Sequence, residues 1–240
     1  MATADVLSPL PVAPRQDPAP RLWTVAEFAR MRELGLFANR DVELVEGVVR
    51  ERPSGAPFAF TRKEYYALDD NRFFRYQRVQ LIGGVIVQES PMNPPHAVAV
   101  RLVTKALERV FGTGFDVRAQ LPLDLGPTSE PHPDIVVVAG SPRDYLVDHP
   151  KTALLVVEVS ESTIDADTHE KASLYASGGI EDYWVIDLTT DRVLVFRSPR
   201  PDPNARFGHD YVSLAAYGRE DKLSSLAAPD VRILVSDLLP

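Results

Sequence analysis

The chain contains no cysteine. That removes disulfides, thiolate nucleophiles and cysteine-based zinc sites, and it suits a cytoplasmic setting. No apolar run approaches the roughly 18 residues that a membrane span requires, so no membrane association is expected. The first residues lack a basic segment ahead of an apolar one and do not read as a secretory signal. Positive charge is in short supply: 26 Lys and Arg stand against 34 Asp and Glu, a formal net charge of −8. Phosphate contacts from Lys and Arg supply most nucleic-acid affinity. This balance therefore argues against a dedicated non-specific binder, but not against an enzyme that meets DNA transiently at an acidic site. Also missing are a Gly-rich phosphate loop, a Gly-x-Ser-x-Gly elbow and a His-x-x-x-His pair.

What is there is enough apolar sequence, 45% of 240 residues, for one substantial core and a small appendage. Residues 1–20 carry five prolines among small residues, the composition of a disordered leader. An ungapped repeat follows: Trp23–Glu51 aligns onto Phe60–Gln88 at an offset of 37 residues, with Thr24/Thr61, Glu27/Glu64, Phe37/Phe74, Leu44/Leu81 and Gly47/Gly84 identical. Each copy reads as a helix opened by a Thr-x-x-Glu capping box and a hairpin turning at glycine. The expected organisation is a leader (1–20), a duplicated helix–hairpin appendage (21–59) and a main domain (60–240) that contains copy two. Copy one should dock beside copy two or across a dimer interface, burying Trp23, Phe28 and Leu36.

Beyond Pro94-Pro95, apolar residues at Val98, Leu102, Val103, Ala106, Leu107 and Val110 predict a helix over 96–111. Strands are predicted over 115–125, 135–138 and 153–159, the last two apolar enough to be covered on both faces. A helix over 167–177, opened by Asp167-Thr168-His169-Glu170 and closed by Gly178-Gly179, is followed by a hairpin of 183–188 and 193–196 and a strand over 231–235. The class is mixed α/β.

Within this frame Glu158 interrupts an otherwise apolar strand, and an unpaired buried carboxylate demands a cation, a donor or solvent. Asp134, after Pro131 and Pro133, begins the neighbouring strand. Lys171 lies on the next helix with Tyr175 one turn on. Two carboxylates from adjacent strands and a following lysine can hold a hard divalent cation beside a phosphodiester. The bland alternatives are an exposed strand-end carboxylate for Asp134 and a helix-surface lysine paired with Asp167 for Lys171. Of the five histidines, only His96 is set apart from structural or surface roles.

The combination of Ser90-Pro91 and His96, Gln120-x-Pro122, Glu130-Pro131-x-Pro133-Asp134, Val157-Glu158-Val159-Ser160, Asp167-x-x-x-Lys171, Leu174-Tyr175-Ala176 and Tyr183-Trp184 resembles the Uma-type endonuclease family. The resemblance implies a restriction-endonuclease-like PD-(D/E)XK domain with an αβββαβ core, acting on DNA with Mg²⁺ or Mn²⁺ and assembled as a homodimer. On that pattern Asp134, Glu158 and the Val159 carbonyl are metal ligands and Lys171 is the catalytic lysine, with Ser160, Asp167 and His96 as possible accessories. One departure stands out: where the family carries a glutamate ahead of Leu-Ile-x-Gly, copy two has Gln80, and only copy one keeps an acid, Glu43. The alternative function is thus a catalytically impaired nuclease fold serving as an interaction or regulatory module.

Overall fold

The computed structural model describes residues 5–6, 20–89, 91–161 and 164–240. In chain order its first elements are β1 (Asp5–Val6), α1 (Val25–Glu33), β2 (Val42–Val45), β3 (Val48–Glu51), α2 (Arg62–Asp70), β4 (Val79–Ile82) and β5 (Val85–Gln88). There follow α3 (Pro94–Phe111), β6 (Phe115–Ala119), β7 (Ile135–Ala139), β8 (Leu155–Ser160), α4 (Ala172–Ser177) and β9 (Asp182–Asp187). The chain ends with β10 (Arg192–Pro201), β11 (His209–Gly218), β12 (Lys222–Leu223) and β13 (Ile233–Leu234). These elements divide into two units.

The smaller unit spans Pro18–Ser90 and Leu125–Pro131 and holds both sequence copies. In each copy the capping box is complete: Thr24 and Thr61 accept the N–H groups of Glu27 and Glu64, whose carboxylates accept from the cap N–H at 2.8 and 2.7 Å. Each hairpin turns at a glycine of positive φ, 79° at Gly47 and 80° at Gly84. A side chain there would also strike Leu22 or Ala59, which cross over the turn. The boundary expected at residue 60 does not separate the copies. Trp23, Phe37 and Phe58 share one buried cluster with Phe60, Phe73 and Phe74, the Trp23 and Phe60 rings lying 5.8 Å apart. Each copy buries only one short helix and two short strands, too little for a core of its own. Trp23 is buried as expected, whereas Phe28 and Leu36 are only half-buried at the cluster's margin. Of the expected leader, Pro20 bridges to Val87 and β1 pairs with β11; the other residues of 1–19 lie outside the described residues.

The larger unit is built on a seven-stranded sheet in the order β1-β11-β10-β9-β8-β7-β6. β6, β7 and β8 form an antiparallel meander, and β9 lies parallel to β8. The crossover between these two includes α4, the usual way to join parallel neighbours. β8 and β9 are buried along their whole length, with α3 covering one face through Ala99, Val103 and Leu107. Several expected boundaries shift. β6 stops at Ala119 instead of running to 125, because Gln120 takes φ 53° and leaves the extended conformation. The helix expected to open at Asp167 is already wound at Asp165, and over Ala166–Lys171 it takes the wide π form. The final strand is only two residues, Ile233–Leu234. β11, ten residues long, is an addition to the expected strands.

Candidate active site

The antiparallel register of β7 and β8 ends at Ile135 opposite Val157. One residue further, Asp134 and Glu158 face each other from adjacent strand ends. The Asp134 N–H lies 3.4 Å from Glu158 Oε2, and the Val159 N–H donates to Asp134 Oδ2 at 2.9 Å. In an extended strand a residue's N–H and C=O point to the same edge, so the Val159 carbonyl is turned to the side on which Asp134 sits. Asp134 Oδ1 lies 3.0 Å from His96 Nε2 and accepts from Gln120 Nε2 at 3.3 Å. His96 is in the first turn of α3, whose start is fixed by Asn93: its side-chain oxygen accepts the His96 N–H, and its amide donates to Glu161 just beyond β8.

Glu158 is only 2% exposed. Tyr175 donates to its Oε1 at 2.6 Å, and Lys171 Nζ is 3.1 Å from its Oε2 and equally 3.1 Å from Asp167 Oδ1. The π turn is what allows this: an additional residue within the turn re-aims the side chains that follow it, so Lys171 and Tyr175 both face β8. The Tyr183 hydroxyl donates to the Asp167 carbonyl at 2.7 Å and holds the turn against the sheet.

The charges follow from these contacts. Burial pushes the Glu158 carboxyl up, to about 8, against the attraction of Lys171 and with repulsion from Asp134 and Asp167 adding to the rise. Burial would also raise Asp134, but the His96 hydrogen bond, the charge of Lys171 and the Val159 N–H hold it below the usual carboxylate range. Burial opposes the charge of Lys171, yet Asp167, Glu158 and Asp134 together raise its pKa above that of an ordinary lysine. His96 is raised by its bond to Asp134, against its own burial.

The structure therefore brings together Asp134, Glu158, Val159, Lys171, Asp167 and His96. Ser160 is fully buried one residue beyond, its carbonyl accepting from the Leu188 N–H. Gln80 and Glu43 belong to the smaller unit: Gln80 lies on β4 opposite Val87, and Glu43 on β2 is engaged by Arg52 at 2.7 Å. Two contacts were not assigned from sequence. Gln120 reaches Asp134 because the β6–β7 register, carried one residue past Ala119 and Ile135, sets the two opposite. Sequence spacing sets Tyr175 on the face of Lys171, and the structure adds its bond to Glu158.

Among the described residues no three Asp, Glu or His side chains gather as a ready cation cage. Mg²⁺ nevertheless retains several waters and is commonly held by one or two carboxylates. Two adjacent acidic side chains and a neighbouring carbonyl fit such an ion, and Glu158, held back from ionising by burial, would gain from a cation beside it.

A family model described as "Uma2: Putative restriction endonuclease" matches residues 62–234. Among solved structures, a "putative nuclease belonging to DUF820" from Anabaena variabilis ATCC 29413 is similar in fold, with a TM-score of 0.57 and 15% identity, covering 75% of this chain and 97% of that one. No curated protein matches the chain.

Proposed function

Because the chain belongs to the Uma2 family, we propose that it is a DNA endonuclease that hydrolyses phosphodiester bonds with Mg²⁺ or Mn²⁺. The observation that carries the reading is the meeting of Asp134 and Glu158 at the ends of β7 and β8, with Lys171 of the next helical segment 3.1 Å from Glu158. Asp134, Glu158 and the Val159 carbonyl would hold the cation. Bound there, it would supply Lewis-acid polarisation of the scissile phosphate.

The chain's own residues have distinct parts. Lys171 is held protonated, so it cannot take a proton from an attacking water. Its ammonium has three donors, two of which face Glu158 and Asp167, and the third can go to a phosphate oxygen and offset charge that builds up in the transition state. His96 and Gln120 hold Asp134 Oδ1 in position, and Tyr175 does the same for Glu158 Oε1.

The test is a calorimetric Mn²⁺ titration of the wild type against Glu158→Ala, with supercoiled-plasmid nicking by wild type and Lys171→Ala. Uptake lost with Glu158 and nicking lost with Lys171 support the reading; absence of Mn²⁺ uptake by the wild type ends it. A second reading, a catalytically impaired nuclease fold acting as an interaction module, draws on the small acidic donor set and on the neutral Gln80. Mn²⁺ uptake without nicking would favour it.

A further inference from the structure

The repeat supplies an internal control on a loop that the active site does not use. In copy one the segment after α1 turns through Gly35 (φ 73°) and Asn39 (φ 75°), and in copy two the equivalent turn passes through Arg72 (φ 62°) and Tyr76 (φ 67°). The backbone is the same. Gly35 N–H bonds to Arg32 and Arg72 N–H to Asp69; Leu36 to Met31 and Phe73 to Leu68; Arg40 to Phe37 and Gln77 to Phe74. Glycine and asparagine are the residues that adopt positive φ most readily, whereas a bulky side chain there is an outlier. Copy one shows that the turn needs neither an arginine nor a tyrosine. Copy two carries both, in a conformation that L side chains resist, and strain of this kind collects at functional sites.

What the substitutions achieve is a change of surface. Gly35, Ala38, Asn39 and Asp41 of copy one correspond to Arg72, Arg75, Tyr76 and Arg78 of copy two. Residues 71–78 hold three arginines and no acid. Tyr76 is 90% exposed, and the Arg75 guanidinium lies 5.0 Å from its ring centroid. Arg78 pairs with Glu89, but among the described residues neither Arg72 nor Arg75 forms an ion pair, even with Asp69 and Asp70 at the end of α2. The loop is held from below. Phe73 and Phe74 are buried, and Arg21 bonds both the Phe73 carbonyl and the Gln77 side chain. The smaller unit is also neutral, with eleven Lys and Arg against eleven Asp and Glu, so the net −8 of the chain resides entirely in the rest.

We propose that the Arg72–Arg78 loop is a binding site for single-stranded nucleic acid, in which Tyr76 stacks on an unpaired base and Arg72 and Arg75 contact the flanking phosphates. An exposed ring among guanidiniums is the pairing that single strands favour, since every base offers a face and every linkage a charge. The proposal rests on the nuclease reading for its ligand class, but its test is independent of catalysis.

Fluorescence anisotropy of a labelled oligo-dT of roughly a dozen nucleotides is measured in EDTA, which prevents hydrolysis. Each substitution takes the residue of copy one. Tyr76→Asn should weaken binding roughly ten-fold, with an unchanged salt slope and a Tm equal to or above wild type. Arg72→Gly with Arg75→Ala should reduce the slope of log K against log salt by about 1.4, two single-strand phosphate contacts. Wild-type affinity in Tyr76→Asn, no binding by the wild type, or equal affinity for a polyglutamate peptide each overturns the proposal. Catalysis is read apart. A protein that binds oligonucleotide but neither takes up Mn²⁺ nor nicks keeps this site and loses the nuclease reading. One that nicks while Tyr76→Asn binds normally does the reverse.

Discussion

The Val159 N–H donates to Asp134 Oδ2 at 2.9 Å, so the strand that carries one candidate ligand also fixes the other. Neither carboxylate can move without disturbing the β7–β8 edge, the kind of preorganisation a hard cation needs. Glu158 has a further support in Tyr175, whose hydroxyl meets Oε1 at 2.6 Å.

Tyr175→Phe therefore probes the site without altering its charge. The ring stays in its fully buried place beside Tyr183, and only the hydroxyl is lost. Partners that orient a ligand typically contribute 10- to 100-fold in metal affinity. Calorimetry should show Mn²⁺ binding weakened about ten-fold, with unchanged stoichiometry and little change in Tm. Unchanged affinity would mean that Tyr175 does not orient a ligand.

Asp182 is the corresponding test of the scaffold. It is fully buried at the start of β9 and accepts from Trp184 Nε1, Arg197 Nε and the Leu226 N–H, all at 2.8–2.9 Å. Arg197 also donates to the Ser224 carbonyl, so this carboxylate fastens the segment after β12 to the sheet. Asp182→Ala leaves a guanidinium and two N–H groups without their acceptor and should cost about 3 kcal/mol, measured by urea unfolding followed by far-UV circular dichroism. Asp182→Asn, which retains an acceptor oxygen, should cost less.

Much of the candidate site was legible because its signals are local. Glu158 betrays itself by interrupting an apolar strand, and the boxes at Thr24 and Thr61 by their spacing. The misses depend on tertiary context. The π turn at Ala166–Lys171 buries Asp167 beside Lys171, whereas in sequence the same residues look like an ordinary capping box. Gln120 reaches Asp134 only once the β6–β7 register is known. β11 carries little signal in the sequence because it alternates weakly and is half-exposed, its partner β10 supplying the pairing. The shared core of the two copies could not be assigned from a repeat alone, since either could have found a separate edge.

Acid sensitivity should report on the β9–β10 hairpin. Burial opposes ionisation of Asp187, but the hydroxyls and N–H groups of Thr189 and Thr190 outweigh it and hold its carboxyl below the ordinary aspartate value. A folded-state pKa below the unfolded one stabilises the native state above the unfolded value, near 3.9, and that stability fades as pH falls through the folded value. Asp187→Asn should lower stability at pH 7 by about 1 kcal/mol and make the loss of Tm between about pH 4 and pH 2 shallower than in wild type. Parallel acid limbs in the two proteins would refute the assignment.

The last prediction concerns assembly. Among the described residues β6 is an edge of the seven-stranded sheet, and an open edge invites pairing with another chain. Beside it, Arg118 of β6 lies 5.1 Å from the Tyr145 ring centroid, and the next two residues, Leu146 and Val147, are 82% and 93% exposed. Adjacent, almost fully exposed aliphatic side chains next to an unpaired edge mark a contact surface better than a solvated loop. We expect a two-fold dimer, the commonest closed assembly, formed through this edge. Light scattering at tens of micromolar should give twice the chain mass for the wild type and the single-chain mass for Leu146→Asp with Val147→Asp, at unchanged Tm. A wild-type monomer, or a dimer indifferent to the two aspartates, would place the interface elsewhere or remove it.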